Sequence, residues 1–330
     1  MVKLRKASYC NLKLFLLYLV VYGHWIEPQI GTSAVVLTQY RWIYYVHMPA
    51  FAFLSGLFLR DAGGCLRLLK RCLPIYVVAQ LLACLLTGGN ASMATPWWHL
   101  WYLLSCSVWA ALGWLWFRFG RGKGKLLFLL VAVLLGLLAG EVPWLDRTLS
   151  GSRTLVFLPY FWAGLICSAD IPWHRYRLWG WLALLLGVGA GLLWGEKIPV
   201  TFLYQATGYG RLEQGMVLRL LCYVLGGLLG FFLLTIAPTR RLPFTRAGAD
   251  TMAGYLLHGP VVRLLREEMT LPWPLCLLLS AGFLWLTYKL LQWVSPAYGI
   301  VPLERREGPW LDSRKSMRHT LSRYTDSSCD

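Results

Sequence analysis

Apolar runs of roughly 20 residues recur from one end of this sequence to the other, and a helix of that length crosses the hydrocarbon core of a bilayer. A chain built this way has few folds open to it. In hydrocarbon, backbone amides and carbonyls must be bonded within a helix or a closed barrel, and runs this long suit helices. Composition agrees: 57% of the residues are hydrophobic and 14% charged, where a soluble domain carries about 25% charged residues. The expected fold is all-α, a polytopic transmembrane helical bundle.

About ten spans can be drawn, near residues 12–26, 41–59, 72–86, 97–116, 126–139, 154–168, 178–194, 216–236, 247–262 and 272–294. Pro74 would fall in the first turn of the third. Lysine and arginine collect at the start of the chain and after every second span, while the intervening loops are poorer in them. Such residues mark the cytoplasmic side, so both termini are expected in the cytoplasm of a multi-pass protein. Residues 1–296 form one transmembrane domain. Residues 297–330 form a polar, basic cytoplasmic tail, expected to be disordered.

The net charge of +17 would raise nucleic acid as a partner of a soluble protein. Here topology accounts for it, and membrane lipid is the expected partner. The nine cysteines form no C-x-x-C pair and no Cys/His ligand spacing, so no metal is expected.

Two ionisable residues interrupt the first apolar run. Lys13 and His24 lie eleven residues apart, about 20° from one another around a helix and roughly 16 Å apart along it. Ionisable groups at membrane depth are costly and so are functional candidates. Two on one stripe suggest a polar track, although Lys13 alone also fits a snorkelling lysine. His47, entering from the opposite side on the second span, reaches a depth similar to that of His24. Imidazole titrates near neutral pH, so the pair suits proton transfer. Arg219, at the outer start of span eight, reads either as a ligand for an anionic acceptor or as a structural, snorkelling arginine. His258 reads as a hydrogen-bonding residue between helices. The run GVGAG at 187–191 reads as close helix packing. Phe202, Tyr204 and Tyr209 suit either sugar stacking or interfacial anchoring. His99, His174 and His319 receive no role.

The stretches NLKLFLLYLVVYGHWIEP and IYYVHMPAFAFLSGLFLR, followed in order by LRLLKRCLPIY, HLWYLLSCSVW, LPYFWAGL and GADTMAGYLLHGPVV, resemble the acyltransferase 3 family of integral membrane acyltransferases. They look most like its fucose 4-O-acetylase-like branch. The resemblance implies an acyl group, usually acetyl, taken from cytoplasmic acyl-CoA and delivered to a hydroxyl of a glycan or lipid-linked sugar at the outer face of a bacterial inner (plasma) membrane. Acetyl-CoA is then the donor substrate. Lys13 and His24 match the family's motif of a basic residue, ten residues, then histidine, and the resemblance makes His24 essential. His47 matches the second-span histidine. In the basic cluster before span three, Arg71 matches, while Arg67 and Lys70 stand in for an arginine missing at Leu68. Basic residues at the cytoplasmic face would attract the phosphates of coenzyme A. Cys10 stands where many relatives carry aspartate, which leaves Asp61 as a candidate partner for Lys13 or Arg71. Two rival readings are a small-substrate transporter, since buried charge also suits transport, and an inactive relative assisting glycan export.

Overall fold

A computed structural model describes residues 2–86, 92–206, 208–268 and 271–297. Its regular elements are all helical, with no strand among the described residues. The α-helices are α1 (Val2–Ile26), α2 (Ala34–Leu57), α3 (Ala62–Leu86), α4 (Trp101–Arg118), α5 (Lys125–Leu138), α6 (Gly151–Ile166), α7 (Arg177–Trp194), the single turn α8 (Val200–Leu203), α9 (Leu212–Ile236), α10 (Met252–Glu268) and α11 (Trp273–Ala297). Every apolar segment of the sequence falls on one of the longer helices, but several ends differ.

Helix α2 begins at Ala34, well before residue 41, because Ser33 caps it: the Ser33 hydroxyl accepts from the Val36 N–H at 3.3 Å. Helix α3 begins at Ala62. Arg67, Lys70 and Arg71 therefore lie on the helix, and Pro74 lies inside it and not in its first turn. Arginine, lysine and leucine are all good helix formers, so the basic run and the apolar run coil as one element. Helix α10 likewise continues past Val262 through Arg263 and Arg266.

Among the described residues, four segments are long and apolar enough to cross a membrane: Ala62–Leu86, Trp173–Lys197, Leu212–Ile236 and Trp273–Val294. Helix α5, with 14 residues, is about 21 Å long, short of a hydrocarbon core of about 30 Å. Exposed leucines nevertheless cover it, with Leu126, Leu127 and Leu130 more than half exposed, as are Leu178, Leu185 and Leu192 on α7. Apolar surface on that scale needs a partner such as lipid.

The chain divides into two compact units, Met1–Ala281 and Gly282–Asp330. In the second unit Gln292 donates to the Tyr288 hydroxyl at 2.8 Å, and the expected tail beyond Ala297 lies outside the described residues. In the first unit α2 is central, packed on α1, α6 and α9, while α6 also meets α4 and α5, and α7 meets α9. The α2–α6 crossing is glycine-mediated. A Cβ at Gly56 would collide with the Phe161 carbonyl oxygen, and one at Gly164 with the Phe53 carbonyl oxygen. Such close backbone approach is how helices associate where apolar side chains gain little over lipid. In the 187–191 run, Gly187 meets Leu229 and Gly191 meets Trp42, which is helix packing.

Candidate functional site

The first unit contains a cavity of about 670 Å³, within the size range of small-molecule sites. Val20 and His24 of α1 and Tyr44 and His47 of α2 form one side of its lining. The remainder includes Trp97, Trp98 and His99 before α4, Arg153 on α6, Tyr204 after α8, and Tyr255, Arg263 and Arg266 on α10.

The segment before α4 is held from below by one buried side chain. Gln80 of α3 donates to the carbonyls of Ser92 at 2.8 Å and Thr95 at 3.1 Å, and accepts from the Trp97 N–H at 2.8 Å. Burying an amide requires such pairing, and here it fixes a loop. Tyr255 donates to the His99 carbonyl. Trp98 has φ +29°, a backbone strain typical of functional sites. Its indole meets the His24 ring at 4.4 Å between centroids. Gly259 abuts the His99 imidazole, where a Cβ would collide.

His24 stands at the centre. Its ring stacks on that of His258 at 5.4 Å, and His258 meets His99 at 4.9 Å. His24 Nδ1 lies 3.6 Å from Glu27 Oε2, just beyond hydrogen-bond length. Glu27 also accepts from Arg266 at 2.8 Å and from the Tyr204 hydroxyl at 3.3 Å. Burial alone would raise the Glu27 carboxyl, but His24 and Arg266 beside it outweigh burial and hold it down at about 2. Glu27 is thus a carboxylate, which can only accept. It therefore faces His24 Nδ1 as an acceptor, the side from which a proton on that nitrogen would be favoured. His47 is set the same way, its Nδ1 lying 2.6 Å from the Ile43 carbonyl oxygen. His258 Nδ1 meets the Tyr255 carbonyl of its own helix, so its hydrogen bond is not the interhelical one expected. Among the described residues no group of histidine, cysteine and acidic side chains is arranged to hold a metal ion.

The cavity therefore brings together His24 and His47, with His258 behind His24. Lys13, Arg67, Lys70 and Arg71 do not line it. Lys13 donates to the Ala249 carbonyl at 3.4 Å, and Arg71 pairs with Asp250 at 3.2 Å. Asp61, the acid expected to partner them, instead accepts from the Gly64 N–H at 2.6 Å. The cause is the chain between α9 and α10, which reaches α1: Asn11 donates to the Pro238 and Arg240 carbonyls at 2.8 and 3.1 Å. Nor is the stripe from Lys13 to His24 polar throughout, because Leu17 and Val20 lie buried between them. Arg219 is also outside the cavity lining. Its guanidinium sits 5.1 Å from the Phe202 ring centre and 4.9 Å from that of Tyr209, and it donates to the Gly136 carbonyl at 3.3 Å.

Sequence reasoning missed Glu27, Trp98, His99, Arg153 and Arg266. Glu27 carried a signal, since a residue three positions after His24 shares its helix face. Arg266 was hidden because the ninth span stops at Val262, just before Arg263. His99 carries no local signal, because Gln80 places it from a distant helix.

No curated protein and no solved structure matches the chain. Residues 8–291 match the family model Acyl_transf_3, described as an acyltransferase domain, and the chain therefore belongs to this acyltransferase family.

Proposed function

We propose that this protein is a membrane O-acyltransferase that moves an acetyl group from cytoplasmic acetyl-CoA to a hydroxyl of an exported glycan or lipid-linked sugar. The observation that carries this reading is His24, held between Trp98 and His258 with its Nδ1 toward the Glu27 carboxylate. A base, an orienting acid and a cavity are what hydroxyl activation requires. The His24 Nε2 lone pair takes the proton of the acceptor hydroxyl. The oxygen then attacks the thioester carbonyl, the carbon–sulfur bond breaks, and the proton on His24 passes to the departing thiolate. The forming imidazolium is stabilised by Glu27. His47, with its own Nε2 lone pair, orients the acceptor within the same cavity.

The donor would enter from the other end of α1. Lys13, Arg67, Lys70 and Arg71 supply the positive charge that draws the coenzyme A phosphates. Val20 lines the cavity one turn inward from His24, which leaves about 10 Å of helix between it and Lys13. This arrangement rests on ten spans with both termini in the cytoplasm of a bacterial inner membrane. The resemblance of the sequence to the fucose 4-O-acetylase-like branch supports a sugar acceptor.

The test supplies labelled acetyl-CoA to the cytoplasmic face of membranes carrying wild type, His24→Ala or Lys13→Ala at matched levels. Removing a general base should lower transfer by about 10²–10⁴-fold, and Lys13→Ala should weaken donor binding. Equal labelling in all three would discard the His24 mechanism. Flux of a small solute without acyl-CoA would favour a transporter.

A further inference from the structure

Three tryptophans of the run PWWHLW each carry an arginine on the cavity wall. The Arg153 guanidinium lies 5.0 Å from the Trp101 ring centre, that of Arg266 lies 4.8 Å from Trp98, and that of Arg263 lies 5.8 Å from Trp97. Arg147 joins them in the lining. Among the described residues, four arginines thus line one cavity together with one acid, Glu27.

That acid does not neutralise the group. Glu27 pairs with Arg266, while Arg153 has no carboxylate within ion-pair distance among the described residues and spends its Nε on the Tyr204 carbonyl at 2.9 Å. The charges acting on Arg153 include the like charge of Arg147. Guanidinium groups gathered in a cavity repel one another unless an anion joins them. The Trp101 face holds the Arg153 guanidinium in place by cation–π attraction while only its Nε is spent on the backbone, and the remaining N–H fork matches the oxygen pairs of carboxylates and phosphates.

We propose that this tryptophan-backed arginine group is the acceptor subsite and that it selects a sugar bearing a negative charge, a carboxylate or a phosphate. Arg153 is its main contact and Arg147 its outer one. The inference rests on the acyltransferase reading for the word acceptor, but the anion site itself can be measured without turnover. The donor's phosphates are the competing source of negative charge, and they are assigned to the separate cluster around Arg71, so the two must respond to different substitutions.

The experiment uses the full chain in lipid nanodiscs and titration calorimetry with four probes: glucuronic acid, its methyl ester, glucose 1-phosphate and coenzyme A. At least one charged sugar should bind ten times more tightly than the methyl ester. Arg153→Gln should remove at least tenfold of that affinity, Arg153→Lys should lose part of it, and coenzyme A should bind all three proteins alike. Preference for glucuronic acid assigns a carboxylate acceptor, and preference for glucose 1-phosphate a phosphorylated one. Equal or absent binding of charged and neutral sugars overturns the proposal. So does Arg153→Gln weakening coenzyme A in place of the sugar, which would give the arginines to the donor. Charged-sugar binding without acetyl transfer would keep the anion site and remove the acyltransferase reading. Acetyl transfer to neutral glucose, unchanged in Arg153→Gln, would keep that reading and remove the anion site.

Discussion

Glu27 follows His24 by one helical turn, and the chemistry available to His24 depends on it. A carboxylate fixes the Nδ1 proton and stabilises the imidazolium that proton abstraction creates. Glu27→Gln keeps the size and the Arg266 contact but loses the charge. Its kcat should fall on the order of 10²-fold, with the KM for donor little changed, in acetyl-transfer assays of the purified protein. A comparable rise in KM with kcat intact would instead make Glu27 a binding residue. Stability should follow the same group. The Glu27 carboxyl is held near 2, below its ordinary value of 4.5. Its ion pair therefore contributes fully above about pH 4.5 and is lost as pH falls toward 2. Thermal unfolding in detergent between pH 7 and pH 3 should show a loss in wild type that is smaller in Glu27→Gln. Parallel curves would remove Glu27 from the account. The sequence showed His24 and His47 because each interrupts an apolar run. It concealed Glu27 and Arg266, which look like ordinary charges at the ends of spans until the fold brings them together.

Helices were legible and their ends were not, for a physical reason. Apolar length reports where a segment meets lipid, whereas a helix ends where its hydrogen bonds end. Arg67, Lys70 and Arg71 on α3, and Arg263 and Arg266 on α10, lie on helical turns that a hydropathy reading assigns to loops. The loop carrying Trp97, Trp98 and His99 was illegible for another reason, since Gln80 organises it from α3. The α2–α6 crossing carries the most direct test at this scale. At Gly164 any side chain meets the backbone of α2, whereas Gly227 on α9 has no atom near its missing Cβ. Gly164→Val should cost about 1–3 kcal/mol or more, read by unfolding in micelles, while Gly227→Ala should be close to neutral. Equal effects of the two would mean that the crossing is looser than the geometry requires.

Across the whole molecule, function depends on which ends of the helices share a side of the membrane. The Lys13 cluster and the His24 cavity occupy opposite parts of α1, roughly 16 Å apart, so one donor molecule serves both only if α1 crosses the bilayer. Helix α1 is not among the four segments that qualify by length and composition, and its polar residues are the cause. Lys13 and His24 lower its hydropathy because they face protein, Lys13 reaching Ala249 and His24 reaching Trp98. The same holds for α10, whose Arg266 reaches Glu27. Helices whose polar groups are satisfied by neighbouring helices can be buried in a bundle without being apolar all round. Ten crossings are therefore expected, with the loop at residues 27–33 outside and the segment at residues 238–250 inside. Alkaline phosphatase fused after residue 30 should be active, whereas fusions after residue 243 and at the C-terminus should be inactive, with a cytoplasmic fluorescent reporter giving the reverse pattern. An active phosphatase at residue 243 would put Asp250 and Arg71 on the acceptor's side. The donor would then have to enter through the cavity itself, and the division of labour along α1 would be lost.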